Sequence, residues 1–247
     1  MENLEIKTET VQIKNQELLI DAYLAYPVLP EKRSAIIVVQ EIFGVNDHIQ
    51  DVTRRIANEG YIAIAPAIYQ RQAPGFTAGY TPEDVKIGKE YKNQTQAIEL
   101  ISDLQATIDY LYSLPQVKTT GVGTIGFCFG GHVTYLTAIL PEIKATASFY
   151  GAGITSWTPG DGEATLKRTR DISGTIHLFF GLEDASIPVE QVDEIASELE
   201  KYQIPHQIWR YPGADHGFFC DQRASYNQQA AQDAWQKVLQ LYKIVLI

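Results

Sequence analysis

Gly126-Phe127-Cys128-Phe129-Gly130-Gly131 is the stretch on which the reading of this chain turns. It continues the apolar run Val122–Phe127 and leads into Gly130–Leu140, a helical stretch stopped by Pro141. A short apolar run followed by glycines reads as a buried strand that turns sharply into a helix. Such a turn forces its central residue into a strained backbone conformation. Glycines two before and two after it remove the Cβ atoms that would collide. The Cys128 sulfur then projects from the sheet at a helix N-terminus, whose positive end favours a thiolate. The Phe129 N–H is left free to meet an oxyanion. This is the cysteine form of a nucleophile elbow. The overlapping Gly121-x-Gly123-x-x-Gly126 matches a dinucleotide fingerprint, but it runs into and through a strand instead of following one, so the match is accidental.

Outward from the elbow, strand and helix patterns alternate. Strands are predicted at 10–15, 18–26, 34–39, 61–67, 122–127, 145–150, 175–180 and 206–211. Helices are predicted from Asn46 or Asp47 to Gly60, over roughly 82–113 as one or two pieces, over 130–140, and near 188–201 and 224–245. Segment 70–82, with Pro74, Gly75, Gly79 and Pro82, reads as a loop, and 155–171 as a surface loop near the site mouth. Alternation of this kind predicts an α/β fold with a mostly parallel twisted sheet of about eight strands and helices on both faces. With no repeat, linker or low-complexity tract, one domain over residues 1–247 is expected.

Composition narrows the class. The 247 residues are 45% apolar and 20% charged, which suits a packed globular core. The net charge of −10 argues against a nucleic-acid partner. Two cysteines, Cys128 and Cys220, cannot make a disulfide framework and lack zinc-ligand spacing, so no metal is expected and a reducing, cytoplasmic setting is. The polar start Met1–Lys7 lacks a signal core, and no apolar run nears 18 residues, so no membrane association is expected. Cys220, beside Phe218 and Phe219, reads as a packed thiol.

A nucleophilic thiol needs a base, and the base needs an orienting carboxylate. The loop after the seventh strand holds Glu183-Asp184, and the loop after the eighth holds Asp215-His216. Ligands of open α/β sheets sit at the carboxyl ends of strands, where these loops lie. Asp184 is preferred to Glu183 because it stands just before Ser186-Ile187-Pro188. Asp215 adjoins His216 in sequence, which makes contact with its ring difficult. His48, His132, His177 and His206 read as packed or surface histidines. The order Cys128, Asp184, His216 is that of the α/β-hydrolase fold.

The sequence here resembles the dienelactone hydrolase family. The resemblance covers most of the chain. It is carried by Gln40-Glu41-Ile42-Phe43-Gly44-Val45-Asn46, by Tyr69-x-Arg71-Gln72-Ala73-Pro74-Gly75, by the elbow, by the Asp184 loop and by Ala214-Asp215-His216-Gly217-Phe218. It implies that Glu41 lies beside the resting thiol and exchanges a proton or hydrogen bond with it, and that backbone N–H groups of Ile42 and Phe129 form the oxyanion hole. Family members hold a substrate carboxylate with two arginines. One matching stretch, Val85–Tyr91, has lysines and no arginine; the other position is Cys220, with Arg223 three residues on. Arg71, Lys86 and Arg223 are therefore the candidates for holding an anion.

The expected activity is cofactor-independent hydrolysis of a small ester or lactone, anionic or neutral, through an acyl-enzyme on Cys128, by a monomer or small homo-oligomer. The alternative is a non-hydrolytic binding or redox-sensing thiol protein on the same scaffold. A cysteine protease is open but unsupported.

Overall fold

The computed structural model describes residues 4–246. One eight-stranded sheet runs through it in the order β1-β2-β4-β3-β5-β6-β7-β8. The strands are β1 (Ile6–Asn15), β2 (Leu18–Pro27), β3 (Arg33–Val39), β4 (Ile62–Pro66), β5 (Val117–Phe127), β6 (Ile143–Phe149), β7 (Thr175–Gly181) and β8 (His206–Tyr211). β1–β2 and β2–β4 pair antiparallel; the remaining pairs are parallel. The helices are α1 (Asp47–Asn58), α2 (Pro82–Asn93), α3 (Ala97–Ser113), α4 (Phe129–Thr137), α5 (Val189–Lys201) and α6 (Gln228–Val245). Among the described residues, no helix is long and apolar enough to cross a membrane.

β3 shows why the sheet is covered on both sides. Its continuous apolar run splits by alternation: Ile36 and Val38 join a core with Ile49, Val52 and Ile56 of α1 and Tyr242 of α6. Ala35, Ile37 and Val39 join a second core with Leu104 and Ile108 of α3 and Val133 and Leu136 of α4. Each fully buried aliphatic side chain contributes roughly 1.5–3 kcal/mol relative to exposure. α1 begins where Asn46 accepts the Ile49 N–H, a side-chain cap on an otherwise orphan donor.

Several boundaries differ from the sequence-based expectation. β1 starts at Ile6, not residue 10, because Ile6 pairs with Pro27 across the hairpin. The hairpin turn between β1 and β2 carries Gln16 at φ +55°. β5 starts at Val117, which pairs with Arg33 before the register shifts near Gly121. α6 begins only after Asn227, whose side chain accepts from Ala230 N–H. The 155–171 loop contains a 3-10 helix, Thr165–Asp171, too short to carry a helical period.

Candidate active site

The elbow stands between β5 and α4, with Cys128 at φ +55° and ψ −116°. A non-glycine residue in this region costs of order 1–3 kcal/mol, so surrounding structure must impose it. Two close approaches do so. A Cβ on Gly126 would lie 2.2 Å from the Gly130 carbonyl oxygen, and one on Gly130 would lie 2.3 Å from that of Val39. The backbone of α4 thus presses directly on β3 and β5. The Cys128 N–H donates to the Phe149 carbonyl at 3.0 Å, and its own carbonyl accepts from His132 N–H at 3.1 Å. Cys128 remains partly exposed.

The loops after β7 and β8 are laced together by the Glu183 N–H, which donates to the Ala214 carbonyl at 2.9 Å. This brings Asp184 to His216. His216 Nδ1 lies 2.7 Å from Asp184 Oδ2, and the other carboxylate oxygen accepts from Ser186 N–H at 2.8 Å. Asp184 is buried while Glu183 is exposed, which separates the two acidic candidates. Asp215 is exposed and accepts from the His216 backbone N–H instead of meeting the ring. Burial pulls the His216 imidazolium down. The charge that an ionised Cys128 places beside the ring, with the hydrogen bond to Asp184, outweighs it and pushes the pKa up to about 10.

Glu41 follows β3 and is 1% exposed. Its Oε1 accepts from Arg223 Nη1 at 3.0 Å, and its Oε2 is buried without a partner. Burial pushes the Glu41 carboxyl up, while Arg223 and His216 draw it back. In this arrangement Glu41 is the counter-ion of Arg223. Arg223 lies over the rings of Phe43 and Tyr80, 5.9 and 5.6 Å from their centroids. The N–H groups of Ile42 and Phe129 donate to no backbone or side-chain acceptor among the described residues, which leaves both free for an incoming oxygen.

The anion-binding candidates separate. Arg71 is corrected as a substrate contact: its guanidinium donates to Asp103 at 2.7 Å and stands 3.9 Å from Glu99. Asp103 also accepts from Asn15 at 2.6 Å, so Asp103 ties both Arg71 and the β1–β2 hairpin to α3. Lys86 is an exposed residue of α2. The lysine near Cys128 is Lys92, which the sequence reading missed. Its Nζ sits 4.4 Å from the Trp157 ring centroid, and burial lowers its pKa, against which a charge on Cys128 would act. A lysine in the last turn of a helix looks like an ordinary dipole partner, so no local signal marked it.

Aromatic residues complete the surroundings. Trp157 packs on Phe129 and on the His132 ring, with centroids 6.3 and 5.3 Å apart. Tyr150, at φ +37°, sets its ring 5.1 Å from that of His216 and has a buried hydroxyl without a partner. His132 is structural: its ring nitrogens lie 2.8 Å from the Ala152 carbonyl and 2.7 Å from the Thr165 hydroxyl.

The model of the dienelactone hydrolase family matches residues 20–246. A Synechocystis sp. protein named "Putative carboxymethylenebutenolidase" is 60% identical over 243 residues, 98% of this chain and 99% of its own. A protein of the same name from Escherichia coli K12 is 34% identical over 212 residues, covering 84% of this chain and 76% of its own. The crystal structure of a Klebsiella pneumoniae protein described as a "Putative Dienelactone Hydrolase" superposes with a TM-score of 0.87 at 31% identity, covering 97% of this chain and 99% of that one. An eight-stranded, mostly parallel sheet, a strained cysteine elbow and full-length relatives at these identities lead to one conclusion: the chain is a hydrolase that belongs to the dienelactone hydrolase family.

Proposed function

We propose that the chain hydrolyses a small ester or lactone, with Cys128 as nucleophile, His216 as proton carrier and Asp184 as the orienting carboxylate. The observation that carries the reading is the 2.7 Å contact of Asp184 with His216 Nδ1, in a ring whose pKa the charge of an ionised Cys128 would raise. The thiolate attacks the acyl carbon. The C–S bond forms and the carbonyl π pair moves to oxygen, which the Ile42 and Phe129 N–H groups receive. Collapse breaks the carbon–oxygen bond to the leaving alkoxide, and His216 gives that alkoxide its proton. A water then attacks the thioester while His216 takes its proton, and the second collapse expels the Cys128 thiolate.

The carboxymethylenebutenolidase names of the relatives point to an unsaturated lactone bearing a carboxylate. Lys92 and Arg223 are cations whose fields reach Cys128, which favours an anionic substrate over a neutral one. Glu41 neutralises Arg223 in the resting site; proton exchange with Cys128 requires the carboxylate to leave that guanidinium. A lactone keeps its leaving hydroxyl tethered to the acyl-enzyme, so the enzyme is selective for substrates whose thioester water outcompetes that hydroxyl to reach.

The test is turnover of small lactones and activated esters by wild type and Cys128→Ala, with mass spectrometry of the quenched wild type. A covalent acyl adduct on Cys128 and loss of turnover in the variant are expected. Full turnover by the variant overturns the mechanism. A partly exposed thiolate is also open to peroxide, so rapid sulfenic acid formation without any acyl adduct favours the redox-sensing alternative.

A further inference from the structure

Three side chains remote in sequence meet at one buried point. Glu41 follows β3, His48 opens α1, and Cys220 lies four residues past His216. Each brings one ligand atom within 4.8 Å of the others. Their exposures are 1%, 2% and 0%. Two buried atoms of this trio, Glu41 Oε2 and His48 Nε2, have no hydrogen-bond partner. Each such orphan costs about 1–3 kcal/mol, so packing alone does not account for the arrangement.

The donors suit one kind of ligand. His48 is buried and its Nε2 has no hydrogen-bond partner, so one ring nitrogen is available as a ligand. The Cys220 thiol donates only to the Tyr80 hydroxyl, at 3.3 Å. Oxygen, nitrogen and sulfur from three side chains form the donor set of a borderline divalent metal, and three protein ligands with an open fourth position is a familiar zinc arrangement. Ligand atoms around tetrahedral zinc lie roughly 3.3–3.6 Å apart, so shifts of about 1 Å close the trio on a cation.

Arg223, bonded to Glu41, opposes a cation there, and Asp221, next to Cys220 in the chain, favours one. Glu41 already pairs with Arg223 through Oε1, which leaves Oε2 for the metal. None of the three lines a surface cleft itself; Tyr80, in contact with the Cys220 thiol, lines one of about 430 Å³.

We propose that Glu41, His48 and Cys220 bind one zinc-class divalent cation, with water as the fourth ligand. The metal–sulfur bond forms as the Cys220 thiol proton leaves to solvent, and no electrons are transferred. The site shares Glu41 with the resting active site and takes no ligand from Cys128 or His216, so a bound cation would hold the Glu41 carboxylate in place.

The chain has two cysteines, so Cys128→Ala leaves Cys220 as its only thiol. Titrating that full-length variant with Co²⁺ is expected to give one ion per chain, visible bands of a tetrahedral site and a sulfur-to-cobalt band in the near ultraviolet. His48→Phe in the same background is expected to weaken binding at least tenfold. The first arm alters none of the three ligands, so it decides even where a His48 variant fails to fold. Binding by wild type that disappears in Cys128→Ala assigns the ion to the Cys128–His216 pair and overturns the proposal. A Cys128→Ala protein that shows no sulfur band, or a folded His48→Phe variant that binds equally well, overturns it too.

Discussion

Asp184→Asn tests the relay with the smallest change of shape. The native carboxylate divides its work: one oxygen accepts from Ser186 N–H at 2.8 Å and the other meets His216 Nδ1 at 2.7 Å. Asparagine keeps its oxygen on Ser186 and turns its NH₂ toward the ring. Two donors then face each other, and the imidazolium loses its best acceptor. The gap between about 10 and the ordinary 6.5 corresponds to roughly 5 kcal/mol of preference for the protonated ring. A charge-assisted hydrogen bond accounts for about 1.5–3 kcal/mol of that, or about one to two pH units. The alkaline limb of kcat/KM, where His216 loses the proton owed to the leaving group, therefore moves from near 10 to roughly 8–9. At neutral pH turnover falls by up to about 10⁴, the loss seen when a serine triad's carboxylate is replaced by its amide, because the amide no longer holds the ring in the productive tautomer once it has given up its proton. Steady-state rates for an activated ester from pH 6 to 11 give both numbers. An unmoved alkaline limb, with activity within twofold of wild type, refutes the relay.

Gly130→Ala places a methyl 2.3 Å from the Val39 carbonyl oxygen and 2.4 Å from that of Gln40; because both are backbone atoms, a loss of about 2–4 kcal/mol is expected in urea unfolding. His48 and His132 are both buried with pKa lowered to about 4 from 6.5. The unfolded chain binds these protons, and that of His177, also lowered to about 4, first as pH falls, so their contribution is whole above 6.5 and is lost toward 4. Their combined slope approaches about 4 kcal/mol per pH unit, readable from denaturation midpoints across that range, and a flat profile contradicts it. Lys92→Met is expected to raise KM about tenfold for a carboxylate-bearing ester while leaving a neutral ester of equal size nearly unchanged; equal effects on both remove Lys92 from substrate recognition.

Much of the framework is legible in the order of residues alone. β3 stands out as an unbroken apolar run, and the elbow as a glycine pattern whose steric need is local. The order of Cys128, Asp184 and His216 at strand ends is set by topology, so alternation of strands and helices suffices to gather them. What stays illegible depends on side-chain direction and tertiary distance. Arg71 sits in a family-like stretch, yet Asp103 from another element takes it. Arg223 is displaced by three residues along the chain, yet the turn after His216 brings it back onto Glu41. Lys92 becomes visible only through its perch on Trp157. Cys220 reads as inert packing, and no spacing rule joins it to Glu41 and His48.

His132 links two parts of the site that a sequence alignment would treat as unrelated. It stands one turn beyond Cys128 on α4 and fastens Ala152 and Thr165 to that helix. The segment between those anchors carries Trp157 and Pro159, whose carbonyl accepts from Ala97 N–H at 2.9 Å. The helix that opens on Cys128 thus also carries the frame that holds Trp157. Libraries aimed at new substrates can exchange residues 158–164 as a cassette, provided that His132, Ala152 and Thr165 are kept as its fixed ends. Selectivity then drifts on a short, replaceable span while the registration of wall to sulfur is inherited unchanged.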